Sequence, residues 1–240
     1  MAAAEDRLWW YRGLRRLIVR SLERHVPAGA RSRIVDVGCG TGGTFQTVSG
    51  ALPGVRYVGL DLEPKALGHC LARGLRSLIH ASVNAMPLRA RCADAVLCLD
   101  VLCYRGVDPE TVLARFFEIL RPGGLLIVNL PAFESLRGEH DLAVGIAHRF
   151  RAAELRRLCE RTGFEIARLT YWNAALFLPL LVWRRLTRRA GEAQATSDTA
   201  RSPGWLNPPL TGLILLEVEL TRWISWPWGS SVLVVGRRPL

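Results

Sequence analysis

The stretch Arg33-Ile34-Val35-Asp36-Val37-Gly38-Cys39-Gly40-Thr41-Gly42-Gly43 decides the fold. Its first half is a short β-branched run and reads as a buried strand. Its second half places glycine at positions 38, 40, 42 and 43. Glycine accepts positive φ angles and carries no side chain, so the chain can turn sharply there and let a ligand approach its backbone. The residues that follow read as a helix. Such a turn leaves helix N–H groups pointing outward, which suits an anionic or polar cofactor.

The alternation continues outward from this corner. Strands are predicted at Arg33–Val37, Arg56–Leu60, Ser77–His80, Ala95–Leu99, Leu125–Leu130, Glu165–Thr170 and Ser231–Gly236, with helices near Gly43–Gly50, Pro64–Arg73, Pro109–Leu120 and Ala152–Thr162. Asp108-Pro109-Glu110 supplies an N-cap followed by proline at the first helical position, and Arg161-Thr162-Gly163 ends a helix on glycine. Strands nearly continuous in Val, Leu and Ile that alternate with helices predict an α/β fold, a mainly parallel sheet covered on both faces. Ahead of it, Leu14, Leu17, Ile18 and Leu22 form the apolar stripe of an amphipathic first helix, with Arg15, Arg16, Arg20 and Arg24 between them.

At 240 residues and 50% hydrophobic content the chain can bury a sizeable single core. Six cysteines show no CxxC pair and no zinc-type spacing, so reduced thiols and no metal are expected. The acidic start, Met1 to Asp6, is no charged leader, which predicts a cytoplasmic protein. No run reaches the roughly 18 apolar residues of a membrane span; the best is Ala174 to Trp183. The net charge of +11 is almost all arginine, Lys65 being the one lysine. Nucleic acid is not expected as a partner, because the arginines are spread along the chain rather than gathered with aromatics into a stripe.

Two cofactor classes fit the glycine corner. Gly38, Gly40 and Gly43 satisfy the GxGxxG of a dinucleotide fold, and Asp61 stands about 20 residues on, where a ribose carboxylate belongs. Either cofactor has ribose hydroxyls that can donate to Asp61. On this reading Asp61→Ala loses cofactor affinity and leaves the empty protein's melting temperature nearly unchanged.

The wider pattern, from Arg33 to Arg168, resembles the class I methyltransferase family. Val35 to Gly42 resembles its first motif, with the acid Asp36 two residues before the first glycine. Val58-Gly59-Leu60-Asp61-Leu62, Met86-Pro87-Leu88, Ala93 to Asp100 and Leu120-Arg121-Pro122-Gly123-Gly124 follow in the family's order. The resemblance implies a Rossmann-like sheet of seven strands, mostly parallel with the last antiparallel, that binds S-adenosylmethionine. It implies that Gly38 and Gly40 form the cofactor loop, Asp36 faces the methionine ammonium and Asp61 the ribose. Leu62, Ser82 and Val83 border the adenine, and Asp100 lies near the sulfonium. Relatives commonly carry Asp where Ser82 stands, and serine makes a weaker neutral bond there.

The acceptor side is less determined. Tyr104 occupies a position where the family often has His, and could orient an acceptor or simply pack. Leu8-Trp9-Trp10-Tyr11-Arg12-Gly13, Gly138-Glu139-His140-Asp141 and His148-Arg149-Phe150 resemble a bacterial subgroup of class I enzymes. His140 or His148 could act as a general base; the alternatives are that His140 and Asp141 tie down a loop and that His148 caps the next helix. The domain reading is a helical cap over 1–30, a core over 31–170, an apolar helical insertion over 171–229 with a mobile loop at 187–204, and a last core strand within 230–240. The insertion combines an apolar run ending in arginines with Trp223, Trp226 and Trp228, which suits an apolar or lipid-linked acceptor at the inner membrane face, through 171–189 and 205–228. A hairpin over the sheet or a homodimer seam explains the same composition. An NAD(P)-dependent oxidoreductase and a non-catalytic binding protein are the rival functions.

Overall fold

The computed structural model describes residues 6–26, 31–138, 141, 142, 144–190 and 204–240. Seven strands, β1 (Arg33–Val37), β2 (Arg56–Asp61), β3 (Leu78–His80), β4 (Ala93–Leu99), β5 (Leu120–Pro131), β6 (Glu165–Trp172) and β7 (Ser231–Arg237), form one sheet in the order β3-β2-β1-β4-β5-β7-β6. Parallel pairing runs from β3 to β5, and β7 lies antiparallel between β5 and β6. This is the Rossmann-like sheet that the resemblance to the methyltransferase family implies.

Because side chains alternate across a strand, each strand feeds two layers. Ile34, Leu97, Ile127 and Val235 face one layer, built from α1 (Trp9–His25), α2 (Gly43–Ala51), α3 (Pro64–Ala72) and α7 (Asn207–Leu220). Val35, Val37, Val96, Val128 and Val234 face the other, built from α4 (Pro109–Ile119) and α5 (Ala152–Arg161). The helix starts follow local chemistry. Asp108 accepts from the Glu110 and Thr111 amides, each at 3.3 Å, to cap α4, and Glu154 reaches back to the Arg151 amide to box α5. Gly163 closes α5 at a φ of 93°.

Most boundaries shift by only one or two residues from the sequence reading, and two differences are larger. The segment Leu120 to Gly124 belongs to β5 itself, held by a Gly123 amide that donates to the Arg238 carbonyl and an Arg238 amide that donates to Gly124, each at 2.9 Å. Between β6 and α7, α6 (Phe177–Ala190) carries the backbone past Thr187, where the apolar period fades; positions 191–203 of the expected loop lie outside the described residues.

The first helix is tied to the insertion. Gly13 lets α1 approach α7, since a Cβ there would run into Ile214. Arg16 and Arg20 both pair with Glu219, at 2.8 and 3.0 Å, and Asn207 accepts from the Trp9 amide at 2.8 Å. The buried Glu217 carboxylate accepts from the Ala174 and Ala175 amides, at 2.9 and 3.1 Å, and so fixes the approach to α6. No helix among the described residues is long and apolar enough to cross a membrane.

Candidate functional site

The strand order reverses direction at β1, which has β2 on one side and β4 on the other. Such a switch point opens a crevice beyond the carboxyl ends of the strands. A cavity of about 1480 Å³ lies there, running from the turn after β1 to α6 and α7.

Its floor is the glycine turn. Gly38, Gly40 and Gly42 adopt φ of 77°, 54° and 80°, and the Gly38 and Cys39 amides both donate to the Leu60 carbonyl, at 2.7 and 3.0 Å. A Cβ on residue 38 would collide with Val101 at the tip of β4, so this position requires glycine on two counts. Cys70 braces the turn from below, its Sγ donating to the Gly40 carbonyl at 3.2 Å and lying 3.8 Å from Cys39 Sγ.

Asp61, at the end of β2, accepts from the Gly40 amide at 2.8 Å through Oδ2 and from the Glu63 amide at 2.9 Å through Oδ1. Each oxygen keeps a lone pair that a ribose hydroxyl could use. The bond to Gly40 bears on the expectation that Asp61 leaves the empty protein's stability unaffected, because it also ties Asp61 to the turn. Leu62 stands exposed at the cavity wall, and Ser82 accepts from the Asn84 amide at 3.2 Å to cap a short turn that begins at Val83. All three line the cavity on the β2 and β3 side.

Asp36 is buried under the turn. Tyr57 donates to its Oδ2 at 2.6 Å, while Oδ1 has no hydrogen-bond partner among the described residues. Burial pushes this carboxyl up to about 7, against the pull of the Tyr57 hydroxyl. Asp100, just past the end of β4, lines the same cavity at a φ of 58° that non-glycine residues rarely adopt. A chain of bonds holds it: Trp172 donates to Asn129 Oδ1 at 2.7 Å, and Asn129 Nδ2 donates to Asp100 Oδ1 at 3.0 Å. Burial raises Asp100 to about 7 too, with the Asn129 amide and the Arg149 charge pulling it back.

The predicted catalytic residues part company. Tyr104 lines the cavity, and burial raises its phenol to about 12. His148 does not reach it. Its Nε2 lies 2.8 Å from Glu154 and its Nδ1 3.5 Å from Glu134, with the ring edge on Phe150. These partners place it at the start of α5, the structural alternative to a general base. His140 lies outside the described residues. What the sequence reading missed is the buried pair next door: Arg149 Nε and Nη2 donate to Asp141 at 2.8 and 2.9 Å, and Nη1 to the Ala132 carbonyl at 3.1 Å. The His148-Arg149 motif was the signal, read one residue too early.

Over the cavity stand Trp10, Tyr11, Leu176, Leu180, Trp183 and Leu210, from α1, α6, α7 and the approach to α6. Trp10 packs on Trp172 with centroids 5.5 Å apart. Trp223 and Trp228 are exposed, whereas Trp226 is half-buried and bonded through its backbone to Thr170 and Tyr171, so it is no part of an exposed tryptophan surface.

Two features test the residues against S-adenosylmethionine. The partnerless buried Asp36 Oδ1 suits the cofactor's ammonium, and the side-chain-free turn beside Asp61 suits its nucleoside. Comparison with known proteins agrees. A family model described as a methyltransferase domain matches residues 35–128. A ubiquinone biosynthesis O-methyltransferase of Aromatoleum aromaticum is 31% identical over 163 residues, covering 58% of this chain and 67% of that protein. A Mycolicibacterium smegmatis protein named "Probable S-adenosylmethionine-dependent methyltransferase" is 28% identical over 161 residues, 66% of this chain. The chain spans 60% of that relative's length. Among solved structures, the methyltransferase bound to the Haloferax volcanii Trm112 activator superposes with a TM-score of 0.64 at 20% identity, covering 100% of this chain and 93% of its own. These matches remove the dinucleotide alternative that the glycine spacing left open, and the chain belongs to the class I S-adenosylmethionine-dependent methyltransferase family.

Proposed function

We propose that the protein transfers a methyl group from S-adenosylmethionine to an apolar small molecule held beneath α6 and α7. The observation that carries this reading is the continuity and size of the cavity. At about 1480 Å³ it exceeds the roughly 300–1,000 Å³ of a site for one small ligand, and its two ends differ in chemistry. Acids and backbone amides line one end; Trp10, Leu176, Leu180, Trp183 and Leu210 line the other.

S-adenosylmethionine, when bound, supplies a methyl group on a positively charged sulfur. The chain's part is to align the acceptor, exclude water and take up a proton. Tyr104 keeps its proton at neutral pH and acts as a donor that orients a polar acceptor atom. Asp100, raised to about 7 and held by Asn129, is suited to accept the proton that a hydroxyl acceptor releases. The exposed Leu178, Val182 and Trp183 on α6, with Trp205 ahead of α7, support entry of the acceptor from an anionic lipid surface.

The test is an assay of S-adenosylhomocysteine release with two acceptor sets: prenylated phenols and quinols presented in anionic vesicles, and polar carboxylic acids in buffer. Turnover with the first set alone is expected. Turnover confined to the polar acids would overturn the acceptor class, and failure to float with anionic vesicles would overturn the membrane route.

A further inference from the structure

Among the described residues two buried side-chain oxygens have no hydrogen-bond partner, Asp36 Oδ1 and Asn173 Oδ1, and both residues line the cavity. Asp36 belongs to the cofactor end. Asn173 follows β6 and stands three residues ahead of Leu176, where the apolar wall of Leu176, Pro179 and Leu180 begins. A buried amide oxygen without a donor costs free energy, and nothing in the cofactor reading uses this one.

Asn173 adopts a φ of 57°, which asparagine and glycine tolerate better than other residues. That backbone need does not account for the amide, since glycine would meet it and leave no polar atom buried. The conformation is held from both sides. Gly229 lies so close to the Trp172 backbone that a Cβ on it would collide there, and Glu217 accepts from the Ala174 amide at 2.9 Å. The side chain is held too: Nδ2 donates to Ser230 Oγ at 2.7 Å, which leaves the oxygen as the unmet end. A fixed polar group with an unmet bond, in a strained and over-determined stretch of chain, has the character of a preorganised recognition element.

The surroundings say what kind of donor fits. Arg149 reaches the same rim, its Nη1 donating to the Ala132 carbonyl while the Ala132 amide donates to the Ser230 carbonyl at 2.9 Å. Its charge is matched by Asp141 at 2.8 Å, so the pair contributes no net charge. An amide oxygen in that setting suits a neutral donor, and the apolar wall beside it suits a neutral body.

We propose that Asn173 Oδ1 accepts a hydrogen bond from a hydroxyl of the apolar acceptor molecule and selects hydroxylated acceptors over their ethers; this rests on the acceptor reading above. Ser230 is the positioning residue that sets the direction of the amide.

Binding of para-hexylphenol and of its methyl ether to the full chain with S-adenosylhomocysteine bound tests this. Tryptophan fluorescence reports occupancy, because Trp10 and Trp183 line the cavity. Wild type is expected to prefer the phenol by about five- to tenfold, the range of one hydrogen bond to a buried group. Asn173→Gly keeps the positive φ and removes the amide, so it should bring the phenol down to the ether and leave the ether within about twofold. Asn173→Asp keeps an oxygen at that place and should hold or raise the preference. A glycine variant that melts like wild type yet keeps the preference, or loses both ligands equally, would overturn the assignment. Should the glycine variant fail to fold, Asn173→Asp decides: a preference held or raised supports the assignment, and a preference lost overturns it. A wild-type protein that binds both ligands alike would overturn the role of Asn173 alone, whereas one that binds neither would overturn the apolar acceptor reading and Asn173 with it.

Discussion

The two ends of the cavity are made of different material. Beneath the nucleoside end the wall is main chain, set by three glycines with positive φ and by one carboxylate that bonds a turn amide. Over the acceptor end the wall is side chain, contributed by helices that meet from opposite ends of the sequence. A wall of main chain has one shape and tolerates little; a wall of side chains can be recut residue by residue. The contrast explains how one sheet can keep a cofactor while its acceptor changes.

The sharpest way to break that contrast is at Gly38. Gly38→Ala forces a side chain into Val101 at a left-handed φ, and the strain and blocked approach should cost about 3 kcal/mol of cofactor binding, about two orders of magnitude in S-adenosylhomocysteine affinity by calorimetry. Asp61→Ala should cost about one to two orders of the same affinity. Because Asp61 also holds the Gly40 amide, urea melts of the empty protein should show a loss of about 1 kcal/mol. An unaltered melt would mean that the turn holds itself.

A smaller effect is expected from pH. Asp36 and Asp100 have folded values near 7, above the ordinary carboxylate range. Between about pH 4 and 7 the folded protein therefore keeps protons that the unfolded chain has released. Their contribution to stability is complete below pH 4 and is lost as pH rises toward 7, so the empty protein should melt lower at pH 8 than at pH 5. Asp36→Asn should flatten this slope. Since an ammonium favours the ionised form of Asp36, S-adenosylhomocysteine should bind about three- to tenfold more tightly at pH 8 than at pH 6, and the same variant should abolish the gain.

The smallest effect sharpens the other side. Leu180→Ala and Trp183→Ala should leave S-adenosylhomocysteine affinity within about twofold while acceptor KM rises severalfold, because they remove apolar area that only the acceptor touches. Losses of cofactor affinity equal to that of Gly38→Ala would erase the distinction between the two ends.

The same contrast governs how much could be read from the sequence. The strand and helix pattern of the core was legible because apolar period, caps and glycines are local signals, and all seven strands fall where the alternation places them. Asp61 was legible as the acid at a strand end beyond the glycine corner, whereas Asp36 and Asp100 were read through the resemblance to the methyltransferase motifs. Arg15 was not: a helical wheel assigns it to the polar stripe, and only the placement of α1 across Gly43 buries it. For His148 the sequence left two roles open, and the contact with Glu154 at the start of α5 is the capping one. Trp226 likewise reads as one of three surface tryptophans until β6 pairs with its backbone. Burial of a polar residue by a distant element carries no local signature.

The placement of β7 has a consequence for biosynthesis. Among the described residues β6 joins the sheet only through β7, so a nascent chain that has emerged as far as Trp172 holds a strand with nowhere to dock and a β5 edge left open. The ribosome must deliver about sixty more residues before both edges are satisfied at one stroke. Any message cut short before Ser231 therefore yields a sticky, half-closed sheet rather than a smaller working protein.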